Sequence, residues 1–311
     1  MTSAKEHLDD VLKEYNDAVA SLEGKGPSEE RIGAYIRRGR VLSMMDSFVA
    51  AIDDFNQAIA MIRQMESSLG RELDPGYWVM AHLSRGELVG TAGPAEMAAE
   101  YKEAASRLPR LSAGCRFFED DREIAEMCVD AAGDLREAGF RGGCAPFIDK
   151  AISLSADSKD PDMMNLCVGA LNFAAGDVEE EDPAMATALY SKSVEIGAQL
   201  KGSGRLRDRS EFVLALASLA DLEEAGDEDA ALVHRVTAVD VLEEMFAEGY
   251  EGGVEALAEL HGLIGKSLMS RNKVEAAEAH LMRQAELAIG VSEEYLEENG
   301  IKPWKRMGGS G

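Results

Sequence analysis

Glu119, Asp120 and Glu123 are the residues whose spacing comes nearest to a chemistry. On a helix they place a third carboxylate one turn beyond an acidic pair, an arrangement with which some all-helical synthases hold Mg²⁺ and a diphosphate. Such a site needs a second acidic helix facing the first and a large apolar cavity, and no matching second motif stands elsewhere in the chain. Asp9–Asp10 and Asp53–Asp54 lack the third acid. The alternative for all of them is acid placed at helix starts, where the macrodipole favours negative charge. VEEEDP (178–183) and EEAGDED (223–229) do not follow the order of a calcium loop and read as solvated turns. The five histidines, His7, His82, His234, His261 and His280, contain no pair at a same-face i, i+4 spacing. GxxxxGK[ST], HExxH and GxSxG are absent, and GKG (24–26) and GSG (202–204) read as linkers. No catalytic, cofactor-binding or metal-ligating residue is assigned, and no cofactor is expected; the chain reads as a non-enzyme.

Cations are the scarcer and therefore more informative charges. The 311 residues carry 58 acidic and 32 basic side chains, a net charge of −26. A field of that sign repels phosphate backbones and anionic lipid heads, which argues against nucleic acid and membrane as partners. The basic residues gather in three places: Arg31, Arg37, Arg38 and Arg40; Arg205, Arg207 and Arg209; and Lys302, Lys305 and Arg306 around Trp304. Each set either meets an acidic partner segment or pairs with neighbouring acids of its own chain. The opening MTSAKEHLDD lacks the apolar core of a signal peptide. FVLALASLA (212–220), the longest strongly apolar run, is too short to cross a bilayer. Cys115, Cys128, Cys144 and Cys167 form no CxxC pair, so reduced thiols and a cytoplasmic location are expected.

The elements that position these residues are helical. Ala, Leu, Glu and Met are abundant, Pro numbers only 8, and strand-like alternation is nearly absent. Superposed stretches reveal a repeat: EYNDAVASL (14–22), DFNQAIAMI (54–62), EYKEAASRL (100–108), FIDKAISLS (147–155) and LYSKSVEIG (189–197). Each carries an aromatic or large apolar residue and then a small one: Ala18, Phe55 with Ala58, Tyr101 with Ala104, Phe147 with Ala151, Tyr190 with Ser193. Weaker copies give Ala238, with Arg235 where an aromatic is expected, and Ala285. Successive copies lie 40 to 47 residues apart. A second stretch with glycine precedes most copies, at Gly39, Gly86, Gly133, Gly169 and Gly265. Glycine inside a helix costs about 1 kcal/mol against alanine, and is tolerated where two helices approach closely. Small residues such as Gly39, Ala51 and Ala58 would let helix axes close up, with Phe55 filling the gap between layers.

These residues resemble the tetratricopeptide repeat family. Tyr35, Gly39, Leu42, Ala51, Phe55 and Ala58 occupy its signature spacing; AGDEDAA (225–231), with Ala231, resembles its turn, and Gly265, Asn272 and Ala277 repeat the pattern. The intervals exceed the family's usual length of about 34 residues, so the repeats are irregular. The resemblance implies an all-α solenoid of stacked antiparallel helical hairpins: an N-terminal helix (1–27), about six hairpins (28–291), and a C-terminal helix and tail (292–311). It also implies a concave groove lined by first helices, at Ile36, Arg37, Arg40, Ser43 and Met44. The family's carboxylate clamp for chaperone tails is not reproduced, since Ile36, Met127 and Ala131 stand at the matching places. The reading is an interaction scaffold that binds a protein or peptide with a basic or amphipathic segment. An all-helical enzyme (a six-hairpin toroid or helical synthase) and a structural subunit of a larger assembly are the alternatives.

Overall fold

Aspartate and serine side chains decide where the helices begin. Ser28 accepts a hydrogen bond from the Arg31 amide, Asp74 from Gly76, Asp120 from Glu123, Asp182 from Met185, Asp208 from Glu211 and Asp227 from Ala230. Each satisfies one of the amides that a helix start leaves without an intrahelical partner. Glu123 reaches back past the cap and accepts from the Glu119 amide at 2.7 Å, which ties the preceding loop to the helix start. The acids of 119–123 and the two acidic turns at 178–183 and 223–229 thus include helix caps.

The computed structural model describes residues 2–91, 93–250 and 252–290. Among them are thirteen α-helices, two short 3-10 turns and no strand. The helices are α1 (Thr2–Leu22), α2 (Glu29–Met44), α3 (Phe48–Leu69), α4 (Pro75–Gly90), α5 (Pro94–Ala105), α6 (Asp121–Glu137), α7 (Ala145–Ser155), α8 (Pro161–Val178), α9 (Pro183–Gly202), α10 (Arg209–Glu223), α11 (Glu228–Ala247), α12 (Val254–Ser270) and α13 (Val274–Gly290). The helices follow one another in the order the repeat predicts. The expected tail helix lies outside the described residues. The chain divides into two compact units, Met1–Leu166 and Cys167–Gly311, the boundary falling inside α8.

In the first unit the hairpins α2–α3, α4–α5 and α6–α7 follow α1. Ile32, Ile36, Phe55, Ala58, Ile62, Tyr77 and Trp78 belong to one apolar core. Ala51, Phe55 and Ala58 have no exposure at all. A Cβ added to Gly39 would lie 2.9 Å from the Phe55 ring, and one added to Gly86 2.6 Å from the Tyr101 ring. Both glycines sit under the aromatic of the following helix. Ala104 and Ala151 are buried on α5 and α7. Gly133 departs from the expectation: it is half-buried, and a Cβ there would meet nothing within 4 Å. The buried stripe of α6 runs through Ala125, Cys128, Ala132 and Leu135, and the Cys144 thiol donates to the Ala132 carbonyl at 3.3 Å. The tight approach therefore falls on Ala132, one position away. Gly169 likewise meets nothing within 4 Å.

The second unit builds its core from Phe212, Leu216, Ala238, Leu242, Leu257, Ile264 and Ala277, with Ala186, Tyr190, Ala215 and Leu219 forming a second cluster. Ala231 is buried, and a Cβ at Gly265 would lie 2.7 Å from Leu281. The repeat is visible even in the turns. Asp46 and Asn272 each adopt a left-handed φ, 58° and 57°, five residues before Ala51 and Ala277. The amide of the residue immediately before the next helix is bound identically in both, Ser47 donating to Leu42 and Lys273 to Leu268 at 2.9 Å.

Ala58 has no exposure and belongs to the core of the first unit, where a helix crossing would leave no room for a larger side chain. Ala58→Leu is expected to cost about 1–3 kcal/mol by overpacking, read as a lower urea midpoint at unchanged slope. An unchanged midpoint would remove Ala58 from the crossing.

Candidate partner-binding surface

The first helices of the three hairpins in the first unit enclose a concavity. Arg40, Ser43 and Met44 reach it from α2; Met80, Leu83, Ser84 and Glu87 from α4; Glu123, Glu126, Met127, Asp130, Ala131 and Asp134 from α6. Phe55, Tyr101, Phe117 and Phe118 complete the lining, and the volume is about 510 Å³. That size falls within the range of sites that accommodate ligand side chains. Five carboxylates thus face one arginine over a floor of methionine, leucine and aromatic rings.

The loop between α5 and α6 closes one side. Phe117 carries it at a φ of 73°, rare for a bulky side chain. The Arg116 amide donates to Asp74 Oδ1 at 3.1 Å, and the Gly114 amide donates to the Phe118 carbonyl at 3.1 Å. Phe117 meets Tyr77 edge-on at 5.8 Å, and the Arg37 guanidinium lies 5.1 Å from the Phe117 ring. Arg37 is thus exposed at the edge of the site and is not among its lining residues.

Ile36 is a correction: it has no exposure and belongs to the core. The loop ring Phe117 and Tyr77 pack into that same core, so the N-terminal half of α2 is covered where a groove position was expected. Arg38 is committed internally, its Nε and Nη2 donating to the two Asp54 oxygens at 2.7 and 2.6 Å. Of the residues assigned to the groove, Arg40, Ser43 and Met44 line the concavity together. Sequence reasoning missed Glu87, Asp130 and Asp134, although i, i+4 spacing puts Asp130 and Asp134 on one face.

The carboxylates are crowded. Tyr101, 1% exposed, donates its hydroxyl to Asp134 Oδ2 at 2.7 Å. Burial and that bond push the Tyr101 hydroxyl far above its ordinary range. Burial also raises Glu87, with Asp134 and Asp130 adding to the effect and Arg40 opposing it. Asp130 is raised by burial and then by Asp134. A cation placed among them would relieve this repulsion. Among the described residues, no group of three or more His, Cys, Asp or Glu is placed to hold a metal ion, and no helix is long and apolar enough to cross a membrane.

Antiparallel helical hairpins, stacked on small residues with an aromatic between layers, define an all-α protein with a tetratricopeptide-like helical-repeat fold. The solved structures agree. Apo RapI matches at a TM-score of 0.55 and 13% identity, over 94% of this chain and 79% of that one. The C-terminal part of a TPR repeat-containing protein from Cytophaga hutchinsonii matches at 0.51 and 14%, over 96% and 99%. At such identities the likeness is one of fold. No protein-family model and no curated protein matches the chain.

Proposed function

We propose that the chain is a protein-interaction module, and that the concavity of its first unit holds a partner segment bearing a lysine or arginine beside an apolar residue. The observation that carries this reading is the lining itself: five carboxylates against Arg40, above Met80, Leu83, Met127 and three phenylalanines. The cation would lie among Glu87, Glu126 and Asp130. The apolar neighbour has a shelf at the edge, where Met44 is 62% exposed and the adjoining turn leads to Phe48 and Val49, exposed by 44% and 79%. Apolar contacts supply the affinity, and the negative field sets partner choice and encounter rate.

The test uses a fluorescent peptide of alternating lysine and leucine, with its glutamate-for-lysine counterpart as control. Neutralising three lining acids together (Glu87→Gln, Glu126→Gln, Asp130→Asn) is expected to weaken the lysine peptide about tenfold or more, equivalent to about 1.4 kcal/mol. Neutralising three exposed acids elsewhere (Glu255, Glu259 and Glu275) changes the net charge equally and is expected to leave affinity nearly unchanged. Association with the native protein should slow as salt shortens the screening length below about 8 Å. Equal losses from both triple variants would reduce the binding to general charge attraction and defeat the site.

A further inference from the structure

In the second unit, α11, α12 and α13 meet at a pair of histidines. His261 Nδ1 lies 2.8 Å from His280 Nδ1, the rings 5.0 Å apart at their centroids. His261 is 6% exposed. Its other nitrogen, Nε2, is 3.4 Å from Glu243 Oε1 on α11. Glu243 is itself clamped by Arg283 of α13, whose Nε and Nη2 donate to its two oxygens at 2.7 and 3.0 Å. Asp240 on α11 is the remaining charge acting on His280.

This geometry restricts the protons. Two Nδ1 atoms at 2.8 Å form a hydrogen bond only when one carries hydrogen and the other offers its lone pair. His261 donates from Nε2 to Glu243 and so accepts at Nδ1; His280 donates from Nδ1. One added proton fits, at His280 Nε2, because the Nδ1 bond survives and Asp240 faces the new charge. A second must enter at His261 Nδ1. There it destroys the bond and sets two cations side by side in a mostly buried place. Glu243 offers little relief, since Arg283 already neutralises it.

We propose that the His261–His280 pair is a proton-operated latch on the last described hairpin: it fastens α12 to α13 while it holds at most one extra proton, and releases them when it holds two. Burial keeps both imidazoles below their usual readiness to take protons, with Glu243 opposing at His261, and Asp240 at His280. The sign follows. The folded protein binds fewer protons here than the unfolded chain, so the latch contributes fully above about pH 6.5 and loses strength as pH falls below it.

The experiment is hydrogen exchange of the full chain, read by mass spectrometry and corrected for intrinsic rates. Between about pH 7.5 and about pH 5, peptides from 254–288 are expected to lose protection about tenfold or more, while peptides from α3 hold theirs. His280→Gln keeps a donor for His261 Nδ1 but cannot gain charge, and should flatten the loss. Wild-type peptides that track α3, or a His280→Gln profile as steep as wild type, would overturn the latch. If His280→Gln already leaves the hairpin unprotected near neutral pH, the imidazole resonances of the wild type decide. Two coupled midpoints, the second below the ordinary histidine range, support the latch; two independent ordinary titrations overturn it.

Discussion

Replacing Arg107 with alanine is expected to destabilise the first unit by about 3 kcal/mol or more, because it strands a mostly buried carboxylate. Arg107 is 7% exposed, and its two terminal nitrogens donate to the two Glu66 oxygens at 2.6 and 2.9 Å. The Leu73 amide donates to the same carboxylate at 2.9 Å. The guanidinium also covers the Trp78 ring at 4.1 Å from its centroid. Alanine removes the ion pair, the cation–π contact and the packing together. Arg107→Met keeps much of the packing, so the difference between the two variants isolates the stem from the charge. A urea midpoint for Arg107→Ala within error of wild type would show that Glu66 is satisfied by other means.

The same pair shapes the acid limb of stability. Burial alone would push Glu66 up, but the bonds from Arg107 and Leu73, with the nearby Arg110 charge, hold it below the ordinary carboxylate range. A depressed carboxyl contributes stability above the unfolded value of about 4.3, and loses it as pH falls through the folded value. Arg107→Ala should therefore be most damaging near neutrality, and converge toward wild type in acid.

A Cβ at Gly76 should be nearly as costly. It would lie 1.9 Å from the Arg116 carbonyl oxygen and 2.9 Å from its carbon, and backbone atoms cannot swing aside as a side chain does. Gly76→Ala is expected to cost about 3 kcal/mol and to lift the loop that carries Phe117 and Phe118. Its signature differs from that of a core cavity: lysine-peptide affinity should fall along with stability, because the loop is one wall of the concavity. Retained stability with intact binding would mean that the α4 start and the loop move apart without consequence.

The hairpins were legible because the repeat is written in the residues that determine packing. A small buried side chain with an aromatic three or four positions before it marks the packed face of the second helix in a hairpin, as Ala58 and Ala104 do. Gly133 misled because glycine also occurs where nothing presses on the helix. Ile36 misled because it lies one turn from Arg40 on the same face, and only the loop between α5 and α6 separates their fates. That loop has no periodicity, and its return to Asp74 and Tyr77 depends on contacts about forty residues distant in sequence. The caps at Asp182 and Asp227 had a signal, an aspartate just ahead of each helical run, which was submerged in the surrounding acid. Arg235, at the aromatic position of its repeat, is 2% exposed and paired with Asp221 and Glu224. Its partners are acids at the end of α10 and just beyond, which a one-dimensional pattern does not bring near. The His261–His280 pair needs the register of α12 on α13, which no spacing rule supplies.

Trp78 has an optical consequence. The chain holds two tryptophans, Trp78 and Trp304. Trp78 is 5% exposed, donates from its indole nitrogen to the Glu103 carbonyl at 2.9 Å, and is in contact with both Arg107 and His82. Substituting Trp304 with phenylalanine would leave a single emitter, shielded from water and rooted between the second hairpin's two helices. Its fluorescence would shift to longer wavelength only as that hairpin opens, so the first unit carries a built-in reporter that requires no dye.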